Sequence, residues 1–295
     1  MRILIAGGTG FIGSRLASEL DARGHEVIVL ARTAPDQGGA GGVTTVQADV
    51  TDSETLLDPL VGVDAVVNLV ALSPVFTPDG GERMHDWVHR AGTGNLVQAA
   101  EAADVGRFVQ VSAVHADPNG PTAYLRAKGR AEAIVRETDL NWVTIRPSVV
   151  FGDGGEFVSF TRSVAPPHLT PLPGGGSTRF QPIWVGDLVP MLADAVVGPD
   201  HERTVYEIGG PEVLTLAEIA KLVHGAVGRP ARVVPVPMAL VRLGMAVGGK
   251  IPGFPFGPDQ YRSLRLDLVV DANDATEFGV DPADMLTVSA YLREP

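Results

Sequence analysis

The first half of the chain alternates short apolar runs with longer stretches of helical periodicity, and this alternation constrains the fold more than any other feature. Runs that are apolar at consecutive positions are typical of strands buried on both faces of a sheet. Short runs rich in β-branched residues, several of them apolar throughout, lie at residues 3–6, 27–30, 43–47, 65–70, 108–111 and 142–145. The helical stretches between them, at 11–23, 83–103 and 123–138, supply parallel crossovers. The pattern predicts an α/β fold with a doubly wound parallel sheet.

After Pro147 the composition changes, because Gly and Pro divide the chain into shorter pieces. These pieces lie at 151–155, 165–176 and 251–258 and alternate with helical patterns at 188–197 and 216–227. Long segments that are interrupted by Gly and Pro often form binding surfaces in a compact domain. We therefore expect a domain over residues 1–150 that contains the main sheet, and a smaller α+β domain over residues 151–295 on the substrate side. Some segments of the smaller domain are expected to return to the main sheet.

The charge and the cysteine content exclude several classes of protein. With 35 acidic and 23 basic side chains the net charge is -12, and no run of Lys or Arg is present, which disfavours nucleic acid and anionic membranes as partners. The absence of cysteine excludes disulfides, thiolate nucleophiles and Cys-ligated zinc, in agreement with a reducing cytoplasm. The segment before Gly7 is too short for a signal peptide, and the apolar stretch 238–249 is too short to span a bilayer. We expect a soluble cytoplasmic protein.

Three glycines, Gly7, Gly10 and Gly13, directly follow the first predicted strand and open the first predicted helix. This order places backbone N–H groups and the positive end of a helix dipole against a pyrophosphate, and the missing Cβ atoms allow close approach. The alternative is a glycine turn that only packs helix on strand. We predict that residues 1–150 bind a dinucleotide, whose contacts in this turn are Gly7, Thr9, Gly10, Phe11, Ile12 and Gly13.

The end of the second predicted strand indicates which dinucleotide is bound. An acidic residue there would accept the ribose 2′-OH, but residues 29–33 contain no acid and include Arg32, which can pair a phosphate. NADP(H) is therefore favoured and NAD(H) is possible, unless Arg32 is only a solvated loop charge. Asp49, after the third strand, would accept from the adenine amino group or be a plain loop acid. The remaining predicted cofactor contacts are Val50, Val70, Ala71, Pro147 and Val149.

Tyr124 and Lys128 stand one turn apart on a predicted helix, so their side chains point the same way. A nearby ammonium favours the phenolate, so we expect Lys128 to lower the pKa of Tyr124 while it hydrogen-bonds the nicotinamide ribose. Ser112 directly follows the predicted strand 108–111, at the edge where doubly wound sheets bind ligands. We predict that Ser112 orients a substrate oxygen; the alternative is a helix or turn cap.

Taken together, these motifs resemble the extended branch of the short-chain dehydrogenase/reductase superfamily, whose members have a Rossmann fold. The likeness continues at 146–152, 180–188 and 206–211 and so covers nearly the whole chain. Within that branch the chain looks most like the atypical group that contains the nucleotide-binding accessory subunit of mitochondrial complex I. The residues that carry this likeness are 112–119, 172–176, 270–274 and 278–280. The resemblance implies hydride transfer between a nicotinamide and a carbonyl or alcohol carbon, with Tyr124, Lys128 and Ser112 as catalytic residues.

One position departs from the family. Active members commonly carry an Asn that helps a proton relay shortly before a Gly-Thr pair, and this chain has His89 there. A His can also carry protons, but its ring is bulkier, so the difference favours binding over turnover. His85 and His89 lie one helical turn apart and could chelate a metal, but no third ligand is evident and we expect no metal site.

Several functions are compatible with these residues. The first is an NADP(H)-dependent oxidoreductase, and the same chemistry also serves nucleotide-sugar epimerases and dehydratases. The second is a dinucleotide-binding assembly or redox-sensing protein with little turnover, associated with a respiratory complex. The intact Tyr-Lys pair disfavours a third, a transcription-linked sensor. The substrate is an unidentified small molecule, and a homodimer is possible.

The second half offers candidates for the substrate side. The segments 165–176 and 251–257 resemble substrate lids in their position. Trp184, Phe254 and Phe256 are candidate apolar walls of a pocket, although buried aromatic residues more often belong to a core. The segment 238–247 has an apolar face, which would close over the site or dock a partner.

Overall fold

The structure is a computed structural model that describes residues 1–33, 42–248 and 257–293. The chain forms two compact units. The first unit comprises Met1–Ser73, Pro78–Arg146 and Leu188–Tyr206, and the second comprises Pro74–Thr77, Pro147–Asp187 and Glu207–Pro295. No helix in the described part of the chain is both long and apolar enough to cross a membrane.

Strands and helices alternate along most of the chain. The strands are β1 (Arg2–Ala6), β2 (Glu26–Ala31), β3 (Val43–Gln47), β4 (Ala65–Asn68), β5 (Arg107–Val111), β6 (Asn141–Pro147), β7 (Val150–Phe151), β8 (His168–Pro173), β9 (Arg179–Phe180), β10 (Ile183–Trp184), β11 (Thr204–Ile208), β12 (Leu214–Thr215) and β13 (Ala231–Val236). The α-helices are α1 (Phe11–Ala22), α2 (Arg83–His85), α3 (Gly92–Ala102), α4 (Ala123–Arg136), α5 (Glu156–Val164), α6 (Val185–Val197), α7 (Leu216–Gly225), α8 (Met238–Gly248), α9 (Pro258–Ser263) and α10 (Val288–Tyr291). A π-helical turn, Asp86–Ala91, joins α2 to α3, and short 3-10 helices lie at Ser53–Leu56, Asp58–Leu60, Gly174–Gly176, Asp274–Phe278 and Pro282–Asp284.

A seven-stranded sheet organises the first unit, in the order β11-β6-β5-β4-β1-β2-β3. β1 lies between β2 and β4, and both pairs are parallel. The chain therefore runs outward from β1 in one direction and then returns to fill the other side. This arrangement confirms the predicted doubly wound sheet.

The core explains why β1 is continuously apolar from Ile3 to Ala6. Leu4 of β1 is completely buried and clusters with Leu96 of α3 and Val135 of α4, which cover one face of the sheet. Ile3 and Ile5 point the other way and are also completely buried. Since successive strand side chains alternate between faces, both faces of β1 are covered.

The helix predicted over 83–103 is interrupted. Residues Asp86–Ala91 form a π-helical turn between α2 and α3, so the segment is helical throughout but locally wider than an α-helix. Such turns occur often at functional sites. The turn carries His89, whose contacts are described with the site below.

The second unit contains small two-stranded sheets, and one of them corrects a prediction. The segment 165–176 is expected from its Pro and Gly content to be a loop, but its residues His168–Pro173 form β8, which pairs in parallel with β13. Thr170 and Leu172 are buried and alternate with exposed residues, as a strand requires. Pro171 is tolerated because β8 has a single neighbour, so one edge of the strand needs no N–H donor.

A separate apolar core holds the second unit together. Phe151, Phe157, Ile219, Val223 and Val288 are its buried members, and Trp184 packs against them as a partly buried side chain. Trp184 therefore packs on a core with part of its side chain exposed, and its role as a pocket wall stays a prediction. Phe254 and Phe256 lie outside the described residues.

Candidate functional site

The turn between β1 and α1 is built from close backbone contacts. Gly7 has a φ of 82°, a conformation that favours glycine, and its carbonyl oxygen accepts the N–H of Gly10 at 3.0 Å. A Cβ atom on Gly7 would lie 3.0 Å from the backbone of Leu69. A Cβ atom on Gly13 would collide with the Gly7 carbonyl and lie 2.7 Å from the Cα of Gly8. The spacing of the glycines therefore follows from the packing of α1 against the turn.

The first turn of α1 is suited to an anion. No side chain caps the helix at Gly10, and its first turn contains no acidic residue. The N–H groups of such a turn have no partner within the helix, and the dipole adds positive charge. Thr9 and Gly10 are exposed, while Phe11 and Ile12 are half-buried. The residues present therefore fit the pyrophosphate of a dinucleotide.

Arg32 and Asp49 lie just beyond the ends of β2 and β3. The Arg32 side chain is exposed and forms no ion pair with a residue of the described ranges; its backbone oxygen accepts from Gln47 at 3.2 Å. Oδ1 of Asp49 accepts both the N–H and the hydroxyl of Thr51 at 2.8 Å. This local turn occupies one oxygen of Asp49, and both interpretations of Asp49 stay predictions. The neighbouring Val50 is buried.

A buried polar network joins the ends of β4 and β5. Nδ2 of Asn68 donates to Oε1 of Gln110 and to Oγ1 of Thr93, each at 3.0 Å. Oδ1 of Asn68 accepts the N–H of Val70 at 3.2 Å, and Nε2 of Gln110 donates to the carbonyl of Val111 at 3.2 Å. The network fixes the backbone at both strand ends. Neither Asn68 nor Gln110 is among the site residues predicted from the sequence; the signal for each is a single polar residue inside an apolar run.

Lys128 reaches these two strand ends from α4. Its side chain is buried, and its Nζ donates to the carbonyl oxygens of Val111 at 3.0 Å and Val70 at 3.4 Å. Burial lowers the pKa of Lys128 to about 8, although the Glu132 carboxylate acts in the opposite direction. Lys128 is therefore a cation at neutral pH, held where β4 and β5 end.

Glu132 belongs to a buried ion-pair cluster one turn further along α4. Only 1% of its side chain is exposed, and its oxygens accept from Nε of Arg146 at 2.9 Å and from Nη2 of Arg146 at 2.7 Å. Arg136 also donates to Glu132 at 2.7 Å. The two guanidinium groups pair with this carboxylate inside the protein, and the carboxylate is close enough to influence Lys128. Sequence reasoning gave no indication of this cluster.

Tyr124 and Ser112 are the other two predicted catalytic residues. Burial raises the pKa of Tyr124 to about 12, so the net shift is opposite in direction to the lowering expected from Lys128, because loss of hydration dominates. The Ser112 N–H donates to the carbonyl of Ile145 at 2.8 Å. Its Oγ is buried and has no hydrogen-bond partner among the described residues, so it caps no helix or turn. A buried hydroxyl in this state calls for a ligand or a water.

Two histidine rings pack against Tyr124. The ring centroid of Tyr124 lies 5.7 Å from that of His85 and 5.3 Å from that of His89, both edge to face. Nε2 of His89 accepts the N–H of Leu72 at 2.8 Å, so the proton of the neutral ring is on Nδ1. Burial, followed by Lys128 and His85, lowers the pKa of His89 well below 6.5. His89 is therefore a neutral ring, and its buried Nδ1 has no partner in the described structure.

The remaining predicted contacts divide between the two units. Val70 and the exposed Ala71 follow β4 in the first unit, close to the carbonyl that receives Lys128. Pro147 and Val149 belong to the second unit, where they flank Ser148, whose hydroxyl donates to the carbonyl of Leu268 at 2.7 Å. Within the described residues, no group of three or more His, Asp or Glu side chains could hold a metal ion.

Known proteins resemble the chain over most of its length. A family model described as NAD(P)H-binding matches residues 7–163. NADH dehydrogenase (ubiquinone) 1 alpha subcomplex subunit 9, mitochondrial, from Arabidopsis thaliana is 27% identical over 289 residues, which cover 91% of this chain and 71% of that protein. NAD(P)H azoreductase from Xenophilus azovorans is 28% identical over 245 residues, which cover 82% of this chain and 80% of that protein.

A solved structure shows the same fold. The UDP-glucose 4-epimerase of Thermus thermophilus, in complex with NAD, matches with a TM-score of 0.73 at 22% identity, covering 99% of this chain and 97% of that one. At this identity the likeness shows the fold alone. Together with the complex I subunit among the relatives, it confirms the resemblance predicted from the sequence.

Proposed function

The chain belongs to the NAD(P)H-binding family, and we propose that it is an oxidoreductase that transfers hydride between NADP(H) and a carbonyl or alcohol carbon. The observation that carries this proposal is the position of Lys128. Its ammonium is held by the carbonyls of Val70 and Val111 at the ends of two adjacent strands. Ser112, which directly follows Val111, has a buried hydroxyl with no partner among the described residues. This is the edge at which doubly wound sheets bind nucleotides and act on substrates.

Each part of the dinucleotide has a proposed partner. The N–H groups at the start of α1 would hold the pyrophosphate, Arg32 the 2′-phosphate, Asp49 the adenine amino group and Lys128 the nicotinamide ribose. Val50, Val70, Ala71, Pro147 and Val149 would contact the rest of the cofactor. When bound, NADP(H) supplies or accepts the hydride. NAD(H) is the alternative cofactor, and Arg32 is the residue that favours NADP(H).

Ser112, Tyr124 and Lys128 would have different roles in proton transfer. The Ser112 hydroxyl would hydrogen-bond the substrate oxygen and fix its distance from Tyr124. With a pKa of about 12 the Tyr124 phenol is protonated at neutral pH, so it would be the group that donates a proton to the oxygen of a carbonyl that is being reduced. The raised pKa makes the phenol a weak acid, so donation would depend on stabilisation of the phenolate. The Lys128 ammonium would stabilise the phenolate that results, until a proton from water restores the phenol.

Two steps test this proposal. The first is a titration of the purified protein with NADPH and NADH, followed by nicotinamide fluorescence and by the shift in melting temperature; we expect tighter binding of NADPH. The second is a turnover assay with carbonyl compounds, quinones and nucleotide sugars. Tyr124→Phe should abolish any turnover and leave the affinity for NADPH nearly unchanged. If neither NADPH nor NADH binds, the predicted dinucleotide site is wrong and the proposed function is wrong with it.

A second function has its own support. The family resemblance places His89 where active members commonly carry a relay Asn, and a relative of this chain is named as a complex I subunit. These facts favour a dinucleotide-binding assembly or redox-sensing protein, associated with a respiratory complex or with a second copy of itself. Tight NADPH binding without turnover, and a biological role unaffected by Tyr124→Phe, would support it. A cytoplasmic location stays a prediction from the cysteine-free composition.

A nucleotide-sugar epimerase or dehydratase stays a third possibility. The support for it is the fold shared with UDP-glucose 4-epimerase, which does not identify a sugar here. The nucleotide sugars in the assay panel test it directly.

A further inference from the structure

The helix α8 (Met238–Gly248) exposes an apolar face in the second unit. Leu240 is 60% exposed and Leu243 is 62% exposed. Ala239 and Ala246 are exposed as well, and the helical spacing places these four side chains on one side of α8. We call these four residues the α8 face. Burying two leucines is normally favourable, so an exposed face of this kind indicates a contact with something apolar.

The stretch of sequence that contains α8 differs in charge from the rest of the protein. The chain carries a net charge of -12, but no Asp or Glu lies between Glu218 and Asp259. The same stretch contains Lys221, Arg229, Arg232, Arg242 and Lys250. Arg229, Arg232 and Arg242 are exposed and form no ion pair with any residue in the described ranges. The α8 face is thus apolar, Arg242 lies on the same helix, and both belong to a stretch of sequence that has basic side chains and no acidic ones.

We propose that the α8 face binds the surface of an anionic phospholipid bilayer. Leu240 and Leu243 would enter the boundary between headgroups and acyl chains, and Arg242, next to them on α8, would pair with a lipid phosphate. The acidic charge elsewhere does not prevent this, because at physiological ionic strength charges are screened beyond about 8 Å. The proposal is independent of the proposed enzymatic function.

Two other occupants fit this face less well. A second copy of the chain, related by a two-fold axis, would bring Arg242 towards its own symmetry mate and pair two copies of one basic segment. An acidic protein would satisfy the arginines, but nothing in that charge pattern explains a continuous apolar face on an exposed helix. A bilayer surface combines both requirements, since it offers negative charge at its surface and apolar chains directly below.

Vesicle flotation of the full chain tests the proposal. The vesicles are phosphatidylcholine alone, or phosphatidylcholine and phosphatidylglycerol in equal parts. We expect at least tenfold more protein bound to the anionic vesicles, with binding that weakens as salt is raised. The double variant Leu240→Glu with Leu243→Glu should lose at least tenfold of this binding, and Arg242→Glu alone should lose several-fold.

A matched control adds the same charge elsewhere. Leu57 is 56% exposed and Val61 is 64% exposed, both in the first unit, so Leu57→Glu with Val61→Glu should leave vesicle binding unchanged. NADPH titration and thermal melting of every variant show that it is folded. No binding of the wild type to anionic vesicles overturns the proposal, as does equal loss in the control. A dimer in light scattering that the α8 variant abolishes, without vesicle binding, identifies a second copy as the occupant instead.

Discussion

The glycine turn and the Lys128 site lie at ends of strands in the same sheet, but they are built in opposite ways. The turn from Gly7 to Gly13 is made of backbone, and it depends on side chains that are missing. The Lys128 site is made of buried side chains held by partners from distant parts of the chain. The first should therefore be sensitive to added atoms, and the second to removed ones. The predictions below test this difference.

The largest effect is expected from removing the ammonium of Lys128. Lys128→Met should lower turnover by about a thousandfold, because the phenolate of Tyr124 loses its stabilising charge. The measurement is the initial rate of NADPH oxidation with the best substrate of the panel. Lys221→Met, at an exposed lysine of α7, is the control and should be neutral. Turnover within tenfold of the wild type in Lys128→Met would contradict this role.

Adding a single methyl group to the turn should have the next largest effect. Gly13→Ala places a Cβ against the Gly7 carbonyl, so α1 must shift and its N–H groups lose their alignment. We expect at least a hundredfold loss of NADPH affinity by fluorescence titration, an order of magnitude consistent with the loss of two or more charge-assisted hydrogen bonds. Gly94→Ala in α3 is the control, since its Cβ would meet only the Ile134 side chain at 3.8 Å. Equal affinities in the two variants would show that the turn does not hold the nucleotide.

The structure was predictable from the sequence where local pattern decides it. β3 and the start of α1 at Phe11 lie where the apolar and glycine patterns place them. The same holds for the shared helix of Tyr124 and Lys128. The π-helical turn Asp86–Ala91 was not predictable, because one wide turn hardly alters an apolar periodicity. Nor was β8, which depends on pairing with a strand far along the chain.

The candidate site divides in the same way. Its residue types follow from spacing, but the polar network of Asn68 and Gln110 requires two strands to meet, which no local pattern reveals. The direction of the Tyr124 pKa shift was predicted with the wrong sign, because it depends on burial beside His85 and His89. The direction of this pKa shift depends on how deeply Tyr124 is buried in the folded protein. The sequence shows only that Lys128 lies one helical turn away.

A substitution at Arg32, just beyond the end of β2, tests whether this side chain causes the preference for NADPH over NADH. Arg32→Ala should weaken NADPH binding by about ten- to a hundredfold and leave NADH binding unchanged, because only NADPH carries the 2′-phosphate. Arg229→Ala removes the same charge at an exposed position of the second unit and should change neither affinity. A parallel loss for both nucleotides in Arg32→Ala would mean that Arg32 does not read the phosphate.

The pH dependence of turnover should report on Lys128. Its pKa is about 8, so kcat/KM should be flat near neutral pH and fall up to tenfold per unit above pH 8, as the neutral amine replaces the cation. The Glu132 carboxylate raises this pKa, so Glu132→Gln should move the fall to lower pH. Glu132→Gln should also cost about 3 kcal/mol of stability by leaving Arg146 without its buried partner, which chemical denaturation measures. A profile that stays flat to pH 10 would exclude Lys128 as the titrating group.

The smallest effect is expected at His89. Because its pKa lies well below 6.5, the ring is neutral throughout the working range, and no transition in kcat/KM should appear between pH 6 and 7.5. His89→Asn should change turnover by only a few-fold, since an amide oxygen can also accept the N–H of Leu72. A clear transition near pH 6.5 that disappears in His89→Asn would show that His89 itself carries the proton.

The central claim is that the side chains at the ends of β4 and β5 direct hydride transfer rather than only bind a nucleotide. The most direct measurement is mass spectrometry of the products formed from NADPH deuterated at nicotinamide C4 and the panel of aldehydes, ketones, quinones and nucleotide sugars. The account predicts deuterium on the carbinol carbon of at least one product with the wild type, and none with Tyr124→Phe at equal NADPH saturation. Saturating NADPH binding with no deuterated product from any compound, or equal deuterium transfer by Tyr124→Phe, would contradict it.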